Sequence, residues 1–141
     1  MNKIVLYLFI LGLACNLQAS HIKWYSNYEK ALLIAKKENK HMMVVLRKKD
    51  CNECQKMFSV TFRDQDYINN LNKKFISIVV TYEDKNNYPI EMFYTLDFPT
   101  LFFVNNKDES FIVKPISGFI SPSKMSNILI ENQLLPKSSS F

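Results

Sequence analysis

The chain has 141 residues, a length typical of a single domain. Apolar residues make up 48% of it and charged residues 22%, which is a globular composition and excludes a disordered, collagenous or low-complexity chain. The net charge of +5 is mild and the longest cationic run is Arg47-Lys48-Lys49, so the charge pattern does not favour nucleic-acid binding. Three cysteines are too few for a disulfide scaffold.

Residues 1–19 have the pattern of a signal peptide. Lys3 gives a positive start, and the apolar run over residues 4–14 is shorter than the roughly 20 residues that cross a bilayer. We expect cleavage after Ala19 and a periplasmic or otherwise exported protein. Two alternatives stay open, an uncleaved anchor and a bacterial lipoprotein that is cut before Cys15 and lipidated there. The protein would contact a membrane only through the signal peptide or that lipid.

Beyond the signal peptide, residues 20–135 are predicted to form one domain, and residues 136–141 a flexible C-terminal tail. A short strand within residues 21–25 precedes the first helix. This helix is predicted to begin at a capping box, in which Ser26 and Glu29 each satisfy a free backbone donor.

The remaining predicted helices and strands alternate along the chain. In chain order they are a strand over 42–46, a helical stretch from Cys51, a helix capped by Asp64, a strand over 75–80, a short helix over 90–96, a strand over 100–104, an antiparallel strand over 111–113 and a last helix that begins at Ser121-Pro122. This order is typical of an α/β sandwich, in which helices cover both faces of one mixed sheet.

Cys51 and Cys54 stand three residues apart at the predicted start of a helix, directly after a buried strand. Unpaired backbone N–H groups and the positive end of the helix dipole favour a thiolate there. The cations at residues 47–49 act in the same direction, whereas Asp50 and Glu53 oppose it, so the sign of the net pKa shift stays open. We expect Cys51 to attack a partner's disulfide, and Cys54, nearly one turn further on, to displace the partner.

Three other roles of the cysteine pair stay open. A structural disulfide would close a loop of only four residues, from which little stabilisation is gained. A metal site would need two more ligands, and the chain offers only His21 and His41 and no second cysteine pair. Two inert core cysteines fit poorly, because four polar residues precede Cys51. We therefore expect neither a metal nor an organic cofactor.

Four motifs occur in order along the chain. They are Trp24-x-x-x-Tyr28-x-x-Ala31, Cys51-x-x-Cys54-x-x-Met57, Phe98-Pro99-Thr100 and Gly118-Phe119. Together they resemble the thioredoxin superfamily, and more narrowly the exported thioredoxin-like proteins related to the thiol:disulfide interchange proteins. The resemblance runs from about Trp24 to Leu134, and it implies a thioredoxin-like three-layer α/β/α sandwich with a central mixed β-sheet.

The resemblance also implies a substrate groove. Pro99 is expected to be cis and to face the cysteine pair, and the Phe98 backbone is expected to pair with an extended substrate segment. Thr100 and Gly118 are expected to line the same groove. The implied partners are protein substrates that carry disulfides or dithiols, and a membrane-bound dithiol protein that donates or accepts electrons.

Three positions depart from the pattern of thioredoxins proper. Asp50 stands where they usually carry tryptophan, Val45 replaces a buried acid that relays protons, and Asn52-Glu53 replaces the usual Gly-Pro. A general reductase of the cytosolic type is therefore a poor fit. Reductase, oxidase and isomerase stay open, because the two intervening residues and their surroundings tune the redox potential.

The leading hypothesis is an exported thiol:disulfide oxidoreductase. Two alternatives are a non-catalytic thioredoxin-fold binding or chaperone module, and a dedicated thiol reductant for the maturation of a cytochrome or another metalloprotein. An intact pair of Cys51 and Cys54 favours chemistry over simple binding.

Overall fold

The computed structural model describes residues 19–136. The apolar run of the predicted signal peptide, the possible lipidation site at Cys15 and residues 137–141 of the predicted tail lie outside this range. Within it, no helix is both long enough and apolar enough to cross a membrane.

A mixed sheet of five strands forms the centre of the fold. The strands are β1 (Trp24–Tyr25), β2 (His41–Arg47), β3 (Phe75–Thr81), β4 (Thr100–Val104) and β5 (Ile116–Ser117). Their order across the sheet is β1-β3-β2-β4-β5. Strand β2 pairs with β3 in parallel and with β4 in antiparallel orientation. The carboxyl end of β2 therefore lies beside the amino end of β4, where Leu46 is opposite Thr100.

Within residues 19–136, four α-helices cover the sheet and complete a three-layer α/β/α sandwich, which confirms the predicted architecture. They are α1 (Tyr28–Glu38), α2 (Asn52–Ser59), α3 (Gln65–Lys74) and α4 (Pro122–Glu131), with a short 3₁₀ turn at Thr61–Arg63. Helix α1 packs on one face of the sheet, and α2, α3 and α4 pack on the other.

Strand β2 is buried on both faces, and this explains its continuous apolar run. Met42, Val44 and Leu46 contact the cluster around α1, whereas Met43 and Val45 contact the cluster around the other three helices. Successive side chains of a strand point to opposite faces, so a strand covered on both sides carries mostly apolar side chains, and the polar residues of β2, His41 and Arg47, stand at its ends.

Two predicted helix caps are confirmed and one is wrong. Asp64 and Ser121 cap α3 and α4 through their side chains. The first helix is capped by Asn27 instead of Ser26, since the Asn27 side chain accepts a hydrogen bond from the Lys30 N–H at 3.0 Å. Asparagine and serine are about equally good N-caps, so the local sequence could not choose between the two neighbours.

The predicted helix over residues 90–96 is absent, and these residues form turns. The Thr95 hydroxyl donates to the Asp97 carbonyl and accepts from the Asp97 N–H, both at 3.1 Å. Such local bonds from a side chain to the backbone compete with helix formation.

The predicted strand over residues 111–113 is reduced to a single bridge between Phe111 and Val104. The regular pairing with β4 comes later, at β5, after Pro115. Proline lacks the N–H group that a continued ladder would need, so the strand is interrupted before it resumes.

Two leucines on helices provide a matched test of the core. Leu71 on α3 is fully buried, whereas Leu33 on α1 is 68% exposed. Leu71→Ala should lower the free energy of unfolding by about 2–5 kcal/mol, because it removes buried methyl groups and leaves a cavity. Leu33→Ala should change it by less than about 0.5 kcal/mol. Urea unfolding followed by circular dichroism measures both values, and equal losses would contradict this packing.

Candidate redox site

A disulfide joins Cys51 and Cys54 at the amino end of α2. The S–S distance is 2.09 Å and the Cα atoms are 5.2 Å apart. Cys51 is the N-cap residue, and its Sγ accepts a hydrogen bond from the Cys54 N–H at 3.1 Å. The unpaired N–H groups of the first helical turn thus lie beside the Cys51 sulfur and favour negative charge on it once the disulfide is reduced.

The two sulfur-bearing residues differ in their exposure to solvent. Cys54 is only 3% exposed and lies among the core residues, whereas Cys51 is half-buried. A partner can therefore reach Cys51 more easily than Cys54. The order in which the two sulfurs react stays a prediction.

The loop between β2 and α2 is held in place by backbone contacts. Asp50, the residue before the first cysteine, has a left-handed backbone with φ 55°. Aspartate tolerates this conformation better than a bulky residue does. The Lys49 N–H donates to the Glu83 carboxylate at 3.2 and 3.3 Å, and the Tyr82 N–H donates to the Arg47 carbonyl at 2.8 Å. The loop after β3 therefore supports the loop that carries Cys51.

An open cleft of about 630 Å³ lies beside the disulfide. Its charged lining consists of four cations and two carboxylates, which are Arg47, Lys48, Lys49, Arg63, Asp50 and Asp84. The charges next to Cys51 were expected from the sequence, whereas Arg63 and Asp84 were not. They come from the 3₁₀ turn and from the loop after β3, and no local motif marks them.

The predicted substrate-binding residues lie near one another at the amino end of β4. The peptide bond between Phe98 and Pro99 is cis. The Gly118 N–H donates to the Pro99 carbonyl at 2.8 Å, and Thr100 pairs with Ser117 across the β4–β5 ladder. Pro99 is buried and is not part of the cleft lining.

Thr100 and Phe98 have different surroundings. The Thr100 side chain is buried, and its hydroxyl donates a hydrogen bond to the Asp97 carbonyl at 2.6 Å. Thr100 therefore holds the chain before β4 in place and does not face a partner. Phe98 is half-buried, and its ring contacts the Tyr82 ring at a centroid distance of 5.3 Å. The ammonium of Lys48 lies 5.9 Å from the Phe98 ring centroid. Phe98 is thereby linked to the cleft that contains the disulfide.

An apolar residue, Val45, stands in β2 where the sequence comparison with thioredoxins proper led us to look for a buried acid. Val45 is fully buried and packs in the same cluster as Met57 of α2. Throughout residues 19–136 no carboxylate is buried, and no group of three or more histidine, cysteine or acidic side chains is arranged to hold a metal ion.

More than half of the chain matches the model of one protein family. A model described as thioredoxin-like matches residues 23–106, which is more than half of the chain. The chain belongs to the thioredoxin-like family. No curated protein sequence gives a significant match to this thioredoxin-like chain.

Solved structures agree with the family assignment. A putative disulphide-isomerase from Bacteroides thetaiotaomicron has a TM-score of 0.66 at 20% identity, covering 87% of this chain and 99% of that one. The C-terminal domain of Neisseria meningitidis DsbD in the oxidised form has a TM-score of 0.57 at 16% identity, covering 74% and 90%. A DsbH oxidoreductase has a TM-score of 0.58 at 19% identity, covering 89% and 99%. At these identities the similarity is one of fold.

The unequal exposure of the two cysteines predicts unequal alkylation. After reduction, a short pulse of iodoacetamide should modify Cys51 on the order of tenfold faster than Cys54, because thiolate character and access both favour the N-cap sulfur. Peptide mapping by mass spectrometry measures the ratio. The same pulse in denaturant is the control and should modify both equally; equal rates in the folded protein would contradict the described site.

Proposed function

We propose that this protein is an exported thiol:disulfide oxidoreductase that exchanges disulfides with partner proteins through Cys51 and Cys54. The observation that carries the proposal is a disulfide at a helix N-terminus with one accessible and one buried cysteine, in a thioredoxin-like fold. The printed descriptions of structural neighbours as an oxidoreductase and a putative disulphide-isomerase support this class of activity.

Starting from the reduced protein, the exchange proceeds in two steps. The Cys51 thiolate attacks one sulfur of the partner's disulfide and forms a mixed disulfide, and the partner's other sulfur leaves as a thiolate. The Cys54 thiolate then attacks the Cys51 sulfur, which releases the partner's second thiolate and forms the Cys51–Cys54 disulfide. Two electrons pass from the protein to the partner, and the reverse sequence oxidises a partner dithiol.

The second step requires that the buried Cys54 thiol lose its proton. No carboxylate within the described range is buried, so an internal relay is absent there. Asp50 and Asp84 line the cleft, whereas Glu53 is exposed and not part of the lining. We propose that water in the cleft takes up the Cys54 proton and passes it to the carboxylate of Asp50 or Asp84.

The partner segment is proposed to lie along the chain before β4. In the described part of the chain, neither the N–H nor the C=O of Phe98 makes a hydrogen bond with another protein group. Backbone groups of a half-buried residue can bond to water or to a partner, and an extended peptide can supply the partner by adding a strand. Pro99 and Gly118, which are joined by their own hydrogen bond, are proposed to lie next to this segment. A membrane-bound dithiol protein is the proposed electron donor or acceptor.

Replacement of each cysteine separates the two steps. Cys51→Ser should abolish exchange with a disulfide protein such as insulin, because the attacking sulfur is gone. Cys54→Ser should still attack and should accumulate mixed disulfides, which appear as adducts on non-reducing gels and disappear with dithiothreitol. Circular dichroism checks that both variants fold. If the wild-type protein exchanges no disulfide, or both variants match it, the non-catalytic binding module becomes the better description.

Export is tested on the full chain expressed in a Gram-negative bacterium. The expected product is a periplasmic protein that begins at Ser20, as determined by fractionation and N-terminal sequencing. A lipoprotein would instead begin at Cys15 and incorporate labelled fatty acid. A full-length protein in the cytoplasm would contradict the exported assignment.

The redox potential is measured separately, by equilibrating the purified protein in glutathione buffers. A low potential indicates a reductant and a high one an oxidant or isomerase.

A further inference from the structure

The cleft beside the disulfide carries an excess of positive charge. Arg47, Lys48, Lys49 and Arg63 line it together with two carboxylates, which leaves a net charge of +2. The neighbouring Glu83 carboxylate accepts the Lys49 N–H. From this surface we infer that the partner segment that docks beside Cys51 is an acidic polypeptide. The inference deepens the proposed function, since it assumes that this cleft receives the redox partner.

None of the four cleft cations forms an ion pair with another described residue. Across residues 19–136 the one ion pair joins Lys40 and Glu38, at 2.8 Å. Arg47 is held instead by uncharged groups: its Nε donates to the Thr81 hydroxyl at 3.2 Å, and its guanidinium lies 5.9 Å from the Phe58 ring centroid. These contacts orient the cation without cancelling its charge, which remains available to a partner.

Two lysines extend this charge along the proposed path of the partner. Lys48 lies over the ring of Phe98, which precedes Pro99 in the chain. Lys56 lies 4.4 Å from the ring centroid of Phe119, which follows Gly118. Pro99 and Gly118 are hydrogen-bonded to each other, so the two lysines lie on either side of this pair, Lys48 at Phe98 and Lys56 at Phe119.

Such an arrangement selects partners by charge. A segment with aspartate or glutamate on both sides of its cysteine meets unpaired cations, whereas a basic segment is repelled. Exposed charges act mainly on the association rate, and salt weakens them, because the Debye length falls from about 10 Å at 0.1 M to about 3 Å at 1 M. The preference should therefore appear in the rate of mixed-disulfide formation and should fade at high salt.

Three symmetrical peptide disulfides test the inference. Each is a dimer of a short peptide with one central cysteine, flanked by glutamates, glutamines or lysines, so attack on either sulfur forms the same mixed disulfide. The reduced mature protein should react with the glutamate dimer on the order of tenfold faster than with the lysine dimer at low ionic strength. Dithiothreitol, which carries no charge other than that of its attacking thiolate, measures the intrinsic reactivity of each dimer, and rates are expressed relative to it.

A pair of charge variants assigns the preference to the cleft. The double variant Lys48→Gln/Arg63→Gln removes the net positive charge of the cleft and should lose most of the preference and of its salt dependence. Lys107→Gln is the matched control, because Lys107 is exposed in the turn after β4, at the opposite end of that strand from Thr100. It should behave like the wild type.

The outcomes separate this inference from the proposed function. Equal relative rates for the three dimers in the wild type would overturn the acidic partner and leave the oxidoreductase intact. If no dimer is reduced, the oxidoreductase fails, and binding of labelled cysteine-to-serine versions of the peptides to the oxidised protein decides the charge preference by itself. Fluorescence anisotropy should then show tighter binding of the acidic peptide, and equal binding of acidic and basic peptides would overturn it.

Discussion

The whole site depends on the burial of one strand, β2, in the middle of the sheet. It pairs with β3 on one side and β4 on the other, and both of its faces are covered by helices. A strand held in this way cannot shift its register without exposing apolar side chains. Its carboxyl end therefore has a defined position, and Cys51 follows four residues after Arg47, through a short loop with a left-handed turn at Asp50.

The chemistry follows from the difference between the two cysteines. One helical turn places Cys51 at the cap, next to unpaired N–H groups, and Cys54 against the core. A partner and an internal sulfur can thus approach the same Cys51 atom from different sides, as disulfide exchange requires. Val45 is buried and apolar, and the charged residues near the disulfide line an open cleft instead.

Two of the misplaced elements lie where local signals are nearly balanced. Asn27 replaced Ser26 as the cap because both residue types cap a helix equally well. The turns over residues 90–96 formed because the Thr95 hydroxyl supplies bonds that a helix would otherwise provide. By contrast, the long strands were predicted within one residue at either end, because burial on both faces gives them long apolar runs, which only the buried Ser77 interrupts inside β3.

The amino-acid sequence by itself determined the alternation of helices and strands, the family resemblance and the position of Cys51 and Cys54 at a helix start. These features depend on residues close together in the chain, where hydrophobic periodicity and capping chemistry can be recognised directly. Only the tertiary structure decided which distant residues join the cysteines. Arg63 and Asp84 reach the cleft from separate segments, and their placement depends on how α2, the 3₁₀ turn and β3 pack together, which no local pattern encodes.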